Sequence, residues 1–464
     1  MEGTAVWDLK IIDTDKTLYI AIADAIERDI RLGILKPGDK LPTHRGLAKT
    51  VGVNVTTITR AFNEAEKRGL VSSIVGSGTY VSTGSGYYPS LINTEADSEK
   101  LIDLGLILPL YEKEPDISPV VEKVLRKNNM NELMAYTEPQ GLKRHRLVGS
   151  EWTRRFGVTA DVENIIITAG TQHALNCIFS SVFQSGDRVA SDALIYPGVK
   201  TAARRCGIQL EAVEADNEGM LPQALDAACR RHAIKGVYTV ATMQNPTNSA
   251  MSAKRRVEIA EIIEKNDLIL IEDDIYRFLS SQNATTLAQL LPERSVYIPG
   301  ISKAFYAGLR TSFVAAPKKL CNRISQAVFD TQWMTSSFNA EIACECITSG
   351  LADKIIAAKL EEIELRASLM KSKLSGFRYK YTQNSMFVWL KLPVDWSSGD
   401  FAKTAYENGV NVIPSEKFAI GGVMPPNYAR ISLSGADSLA EFEKGLDVLC
   451  RMLNYEISPK LCVL

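Results

Sequence analysis

The chain has 464 residues, 45% hydrophobic and 23% charged, with a formal net charge of -1. That length allows roughly two to three domains and a core large enough to fold without disulfide staples. The near-zero charge sets up no global field toward nucleic acid or membrane, and no apolar run approaches the roughly 20 residues that span a bilayer. An acidic N-terminus with Glu2 and Asp8 carries no signal-peptide pattern. The eight cysteines are scattered, and the one close pair, Cys344 and Cys346, fits neither a zinc knuckle nor a redox motif. A cytoplasmic protein with reduced thiols, no metal and no membrane contact is expected.

Residues 1–82 stand apart. Leu18, Ile22, Ile26 and Ile30 recur every four residues and predict one apolar helix face, broken by Gly33 and Pro37-Gly38. A short helix over His44–Thr50 follows Thr43, a good N-cap. After a turn at Gly52, a second helix runs from Val55 to Arg68, its inner face drawn from Val55, Ile58, Phe62 and Ala65. Leu70-Val71, a turn at Gly76-Ser77-Gly78 and Thr79-Tyr80-Val81 then read as a small ribbon, completing a winged helix-turn-helix layout. Residues 1–30 carry three Lys/Arg against seven Asp/Glu, whereas residues 31–68 carry eight against three. A local basic face of this kind suits DNA phosphates, although a merely solvated helix has the same charge pattern.

Residues 83–100 mix Gly, Ser, Pro and charge without an apolar period, as an exposed linker does. From residue 101 to 464, short apolar runs at 165–167, 188–190, 236–240, 268–271, 296–298 and 313–315 alternate with helical stretches, the pattern of an α/β sheet. A long charged helix over Ala352–Leu374 leads to strands near Phe387–Leu390 and Tyr428–Ile431, which predict a small C-terminal α/β subdomain.

Ligands of such sheets bind beyond the carboxyl ends of the strands. Four of those ends carry chemistry. Thr168-Ala-Gly-Thr-Gln-His feeds a glycine turn into a helix start, with Thr171 and Gln172 beside free backbone N–H groups; this suits a phosphate, and a capped helix without ligand reads the same. Asn245 offers an amide at a turn. Asp273 and Tyr276 follow the next strand, and a buried acid there needs a cation or a donor, such as a ring nitrogen or a helix cap. The strand at Val296–Ile298 breaks at Pro299-Gly300 and leads to Lys303 and Arg310. A lysine amine at a sheet mouth can capture a carbonyl, and an arginine can grip a phosphate, though two surface cations on a loop would look alike.

Two resemblances bear on these stretches. Gly33-Ile-Leu-Lys-Pro-Gly-Asp-Lys-Leu-Pro-Thr-His-Arg-Gly-Leu-Ala48, Val51-Gly-Val-Asn-Val-Thr-Thr-Ile-Thr-Arg-Ala61 and Gly76-Ser-Gly-Thr-Tyr-Val81 resemble the GntR-type DNA-binding domain. The likeness implies contacts to double-stranded operator DNA by Arg45, Thr57 and Arg60, with Val55, Thr56 and the wing Gly76 in the same set. The family's arginine at the start of the recognition helix is Val55 here, which offers only apolar contact to a base.

The second stretch, residues 101–455, is similar to the class I/II aminotransferases of fold type I, which implies a three-layer α/β domain that binds pyridoxal 5'-phosphate. Carried over by motif, Lys303 forms the imine with the cofactor and Asp273 pairs with the pyridine nitrogen. Tyr276 and Asn245 bond the phenolic oxygen, while Thr171, Gln172, Ser302 and Arg310 hold the phosphate. Tyr196 stacks on the ring, Tyr136 reaches the phosphate of a partner subunit in a homodimer, and Arg430 clamps a substrate carboxylate. Gly300, Ala307, Asn248 and Ser312 depart from the family pattern.

Together the two parts resemble the MocR (GabR-like) transcriptional regulators. That resemblance implies a regulator sensing an amino acid or amine by external aldimine formation at Lys303, with little or no turnover. The alternative is an active aminotransferase carrying an accessory DNA-binding head.

Overall fold

The computed structural model describes residues 17–32, 34–35, 39–68, 70–74, 78–81, 101–280 and 285–457, together with Trp7 and Leu9. Gly33, Pro37-Gly38, the Gly76-Ser77 turn and the 83–100 linker lie outside the described residues. The chain divides into two compact units, the first formed by residues up to Ala96 with Glu416–Pro425, the second by the remainder. Each is taken by itself.

In the head, α1 (Leu18–Arg31), α2 (His44–Val51) and α3 (Val55–Lys67) precede an antiparallel ribbon, β1 (Val71–Ile74) and β2 (Gly78–Val81), with Val71 opposite Val81. Thr43 caps α2 by accepting the Gly46 N–H at 3.1 Å, and Asn54 caps α3 by accepting the Thr56 N–H at 3.0 Å. Between them Gly52, at φ +73°, supplies the left-handed residue that ends α2. Ile22, Ile26, Ile58, Phe62 and Ala65 form the buried centre. Val55 does not join it. That residue is 39% exposed, because side chains tilt toward a helix N-terminus and one in the first turn points past the packed face. The inner face of α3 therefore starts at Ile58.

The second unit is built on a seven-stranded sheet. Its strands are β3 (Ile165–Thr168), β4 (Arg188–Asp192), β5 (Gln209–Val213), β6 (Ile234–Thr239), β7 (Ile269–Asp273), β8 (Ser295–Ile298) and β9 (Ser312–Ala315). They lie in the order β3-β9-β8-β7-β6-β4-β5. β9 runs antiparallel to both its neighbours; β4 through β8 pair in parallel. Strands β3, β8 and β9 are buried along their whole length, as expected for a sheet covered on both faces, and so read as continuous apolar runs.

Helix α4 (Thr171–Val182) leaves β3, α5 (Pro197–Arg205) follows β4, and α6 (Lys318–Gln332) follows β9. The long α7 (Leu351–Lys373) leads to the smaller sheet of β10 (Tyr379–Lys380), β11 (Phe387–Lys391), β12 (Ile413–Pro414) and β13 (Tyr428–Ser432), ordered β10-β11-β13-β12. Because β9 pairs antiparallel to β3 with Ser312 opposite Thr168, the residue two before β9, Arg310, meets the turn that leaves β3. No helix among the described residues is long and apolar enough to cross a membrane.

Candidate functional site

The end of β8 turns sharply. Gly300 sits at φ +55°, and a Cβ there would lie 2.8 Å from Ile275 Cγ2, so the serine that the aminotransferase pattern carries at this position would be both strained and crowded. Asn248, where the pattern has glycine, is likewise left-handed at φ 60°, a region asparagine tolerates better than most residues. Past the turn, the Lys303 amine donates to the carbonyl of Ile107. Burial, then the charges of Arg430, Arg310 and Lys359, bring its pKa down to about 8. A lysine so placed is partly neutral near physiological pH, as capture of a carbonyl requires.

One strand over, Asp273 ends β7. Its Oδ2 accepts a hydrogen bond from the Tyr238 hydroxyl at 2.9 Å. Its Oδ1 is buried without a partner of standard geometry, although the Ile275 N–H lends the carboxylate some stabilisation. Burial pushes the Asp273 pKa up to about 7. A carboxylate kept dry with one oxygen unfilled is a site for a cationic donor.

Nearby, Asn245 hydrogen-bonds the Tyr276 hydroxyl, whose pKa burial raises. Asn245 also takes a hydrogen bond from Arg430 Nη1 at 2.8 Å, while Arg430 Nη2 donates to the Gly105 carbonyl at 2.5 Å. Arg430 is buried, and desolvation lowers its pKa to about 10. Tyr196, at the N-cap position of α5 and 40% exposed, has its pKa raised by the desolvation of its hydroxyl end and then by the charge of Asp273.

At the end of β3 the chain passes through Gly170 (φ +83°) into α4, whose first residue is Thr171. Four backbone N–H groups of a helix start have no partner within the helix. Arg310 closes over this turn: a Cβ on Gly170 would lie 2.2 Å from Arg310 Nη2. The guanidinium makes only long contacts, 3.4 Å to Ser302 Oγ, 3.3 Å to the Ala307 carbonyl and 3.4 Å to the Ala169 carbonyl, so its donors are weakly engaged. Gln172 donates to the Gly198 carbonyl at 2.9 Å and keeps a buried Oε1 with no partner. Tyr136 differs from these residues. It is 79% exposed, with its ring against Trp333 at 5.2 Å.

Tyr238 and His173 were not legible as site residues in the sequence. The first lies inside an apolar strand run. The second reads as one more polar helix residue, yet its Nδ1 accepts the Ala169 N–H at 3.1 Å and so fastens the turn beneath Arg310.

On the head, Arg45 and Arg60 are exposed and Thr57 is half-buried. The Thr56 hydroxyl is bonded to Asn54 Oδ1 at 3.0 Å, and Thr59 is tied to His44 at 3.2 Å. Gly76 lies outside the described residues.

A lysine, a half-satisfied carboxylate and an anion seat at neighbouring strand ends define a cofactor-dependent domain of the aminotransferase fold, here joined to a winged helix. The chain belongs to the family described as aminotransferase class I and II, matched over residues 99–449, and its residues 18–81 match the bacterial regulatory proteins of the gntR family. It is 31% identical to the HTH-type transcriptional regulator YdeF of Bacillus subtilis (strain 168), over 97% of each chain. It is 26% identical to YdfD of the same organism, over 94% of this chain and 96% of that one.

Among solved structures, the α-aminoadipate aminotransferase LysN of Thermus thermophilus superposes with a TM-score of 0.70 at 25% identity, covering 77% of this chain and 93% of that one. An archaeal alanine:glyoxylate aminotransferase gives 0.72 at 23% identity, covering 78% and 93%. Pyridoxal 5'-phosphate is the cofactor of this family and of this chain. The residues fit it: the open Asp273 oxygen matches a protonated ring nitrogen, and the Gly170–Arg310 cradle matches a phosphate.

Proposed function

We propose that this protein is a transcriptional regulator that binds operator DNA through its winged head and senses an amino acid or amine at Lys303. The observation that carries the reading is the presence, in one chain, of a complete lysine site and a gntR-type head, shared along almost its full length with proteins named as regulators. When bound, pyridoxal 5'-phosphate supplies an aldehyde for a primary amine and a ring that withdraws electrons. Lys303 gives up its proton readily because burial and three nearby cations disfavour the charged form. Asp273 receives the ring nitrogen, and Tyr276 with Asn245 bonds the phenolic oxygen. Thr171, Gln172, Ser302 and Arg310 would hold the phosphate, and Tyr196 would stack on the pyridine ring. Arg430 offers a two-pronged donor to an effector carboxylate.

An effector that replaces both the Lys303 contact and the Arg430 contacts binds one arrangement better than another, and that difference is what a switch needs. In this reading residues 1–82 are the DNA-binding domain, 83–100 the linker and 101–464 the cofactor and effector domain. The protein works in the cytoplasm as a homodimer, with Tyr136 serving the partner's phosphate. Arg45, Thr57 and Arg60 contact the DNA backbone, with Val55, Thr56 and Gly76 in the same DNA-binding set.

The test is Lys303→Ala in the full chain, with operator binding followed by fluorescence anisotropy across a panel of L- and D-amino acids. Retained DNA binding with loss of every amino-acid response is expected; an unchanged response overturns the sensing step. The intact set of Asp273, Tyr276, Asn245, Lys303 and Arg430 also favours a second reading, a working aminotransferase with an accessory head. Sustained formation of a keto acid over many turnovers would select it.

A further inference from the structure

Helix α7 carries three buried ionic side chains, Lys359, Glu362 and Arg366, at spacings of three and four residues that place them on one face. They face the segment 112–114 in antiparallel order. Arg366 bonds Glu112 at 3.0 Å, Lys113 pairs with Glu362 at 2.9 Å, and Lys359 pairs with Glu114 at 2.7 Å. The last rung differs in reaching the cofactor lysine. The Lys359 amine, with no exposed surface, also donates to the Lys303 carbonyl at 3.3 Å. Glu114 Oε1 also accepts the Tyr306 N–H at 2.9 Å. Tyr306 itself is held in the left-handed region at φ 36°, and its hydroxyl donates to the Pro115 carbonyl at 2.8 Å.

One ion pair therefore fastens both ends of the turn from Lys303 to Tyr306. A buried ion pair adds little net stability compared with apolar residues of similar size, so folding alone does not account for one here.

We propose that Lys359 is a positioning residue for Lys303: with Glu114 it clamps the Lys303–Tyr306 turn and aims the Lys303 amine out of the sheet mouth. This rests on the assignment of Lys303 as the residue that captures the cofactor. The clamp acts in two ways. It fixes the backbone from which the reactive amine projects, and it sets a cation beside that amine. The charged groups facing Lys303 are Arg430 from β13, Arg310 from its own loop and Lys359 from α7, with Glu114 beside Lys359.

The experiment follows covalent attachment of pyridoxal 5'-phosphate to the full-length apoprotein, by absorbance, as a function of pH. Wild type should show a midpoint near the Lys303 pKa of about 8. Lys359→Met removes a nearby like charge, so the midpoint should rise, and the plateau rate should fall roughly tenfold as the turn loses its clamp. Lys359→Arg should restore the midpoint.

Because Lys359→Met leaves a buried carboxylate unpaired and is liable to misfold, the neutral pair Lys359→Met with Glu114→Gln is the second variant. It keeps an acceptor for the Tyr306 N–H and should share the raised midpoint, since the Lys359 cation is gone, while losing plateau rate. A folded Lys359→Met with wild-type midpoint and plateau overturns the proposal, as does a neutral pair with wild-type plateau. Lys303→Ala separates the two ideas. Attachment surviving in that variant sinks the lysine assignment itself, whatever Lys359 does.

Discussion

The Tyr238 hydroxyl donates to Asp273 Oδ2 across neighbouring strands β6 and β7, both residues fully inside the protein, at 2.9 Å. The bond does two things. It favours the ionised carboxylate against the burial that raises its pKa to about 7, and it fixes which oxygen remains open for a partner. Tyr238→Phe should remove that support while preserving shape. A hydrogen bond to a charged group is worth about 1.5–3 kcal/mol, so cofactor affinity should fall by roughly 10- to 100-fold. Equilibrium titration of the apoprotein with pyridoxal 5'-phosphate measures it, and Asp273→Asn should cost at least as much.

His173 introduces a pH dependence. Its Nδ1 accepts the Ala169 N–H and is also reached by Gln332 Nε2 at 3.3 Å, so the proton of the neutral ring is assigned to Nε2, which meets Thr331 Oγ1 at 2.8 Å. Burial lowers its pKa below the ordinary 6.5. The unfolded chain therefore takes up this proton first, and the stability supplied by neutral His173 is full above pH 6.5 and is lost as pH falls from there through the folded value. Melting temperature followed through this acid window should fall for wild type. His173→Gln, whose amide oxygen accepts the same N–H without titrating, should flatten that part of the profile. An unchanged slope in the variant would assign the pH effect to other groups.

Gly300→Ser restores the residue that the aminotransferase pattern carries, and it should nonetheless harm this protein. The left-handed backbone and the 2.8 Å approach to Ile275 Cγ2 together predispose the site against any Cβ. A loss of about 1–3 kcal/mol is expected, read by denaturant unfolding of the full chain.

For the head, Arg60→Ala should weaken DNA binding about equally on all sequences and reduce the salt slope by roughly one. Val55→Ala should leave the salt slope unchanged and alter preference among operator variants, because an exposed apolar side chain at the start of α3 carries no charge to a phosphate. Anisotropy titrations at several salt concentrations distinguish the two.

Much of this site could be read before the structure because a parallel sheet gathers its chemistry at strand ends. Asp273, Asn245 and Lys303 each stand within a few residues of the end of an apolar run. What could not be read lies elsewhere. Tyr238 sits inside an apolar run, where a tyrosine counts as core until the neighbouring strand's register is known. Lys359 sits in a helix rich in charge, and only tertiary packing shows that its amine is buried. The partners of Lys303 and Arg430 include backbone carbonyls, which leave no mark in a sequence. Val55 failed for a local reason: helical periodicity places it with Ile58 and Phe62, but the packed face ends one turn later.

Those two carbonyls belong to Ile107 and Gly105, two residues apart in one short segment. With Lys303 and Arg430 in the roles proposed for them, an effector amine that takes the place of Lys303 on the cofactor returns the Lys303 amine to the reach of the Ile107 carbonyl, whereas an effector carboxylate draws Arg430 away from that of Gly105. A molecule bearing both groups changes both contacts together, so this segment responds to a conjunction of two functional groups, and an α-amino acid is the simplest compound that supplies it.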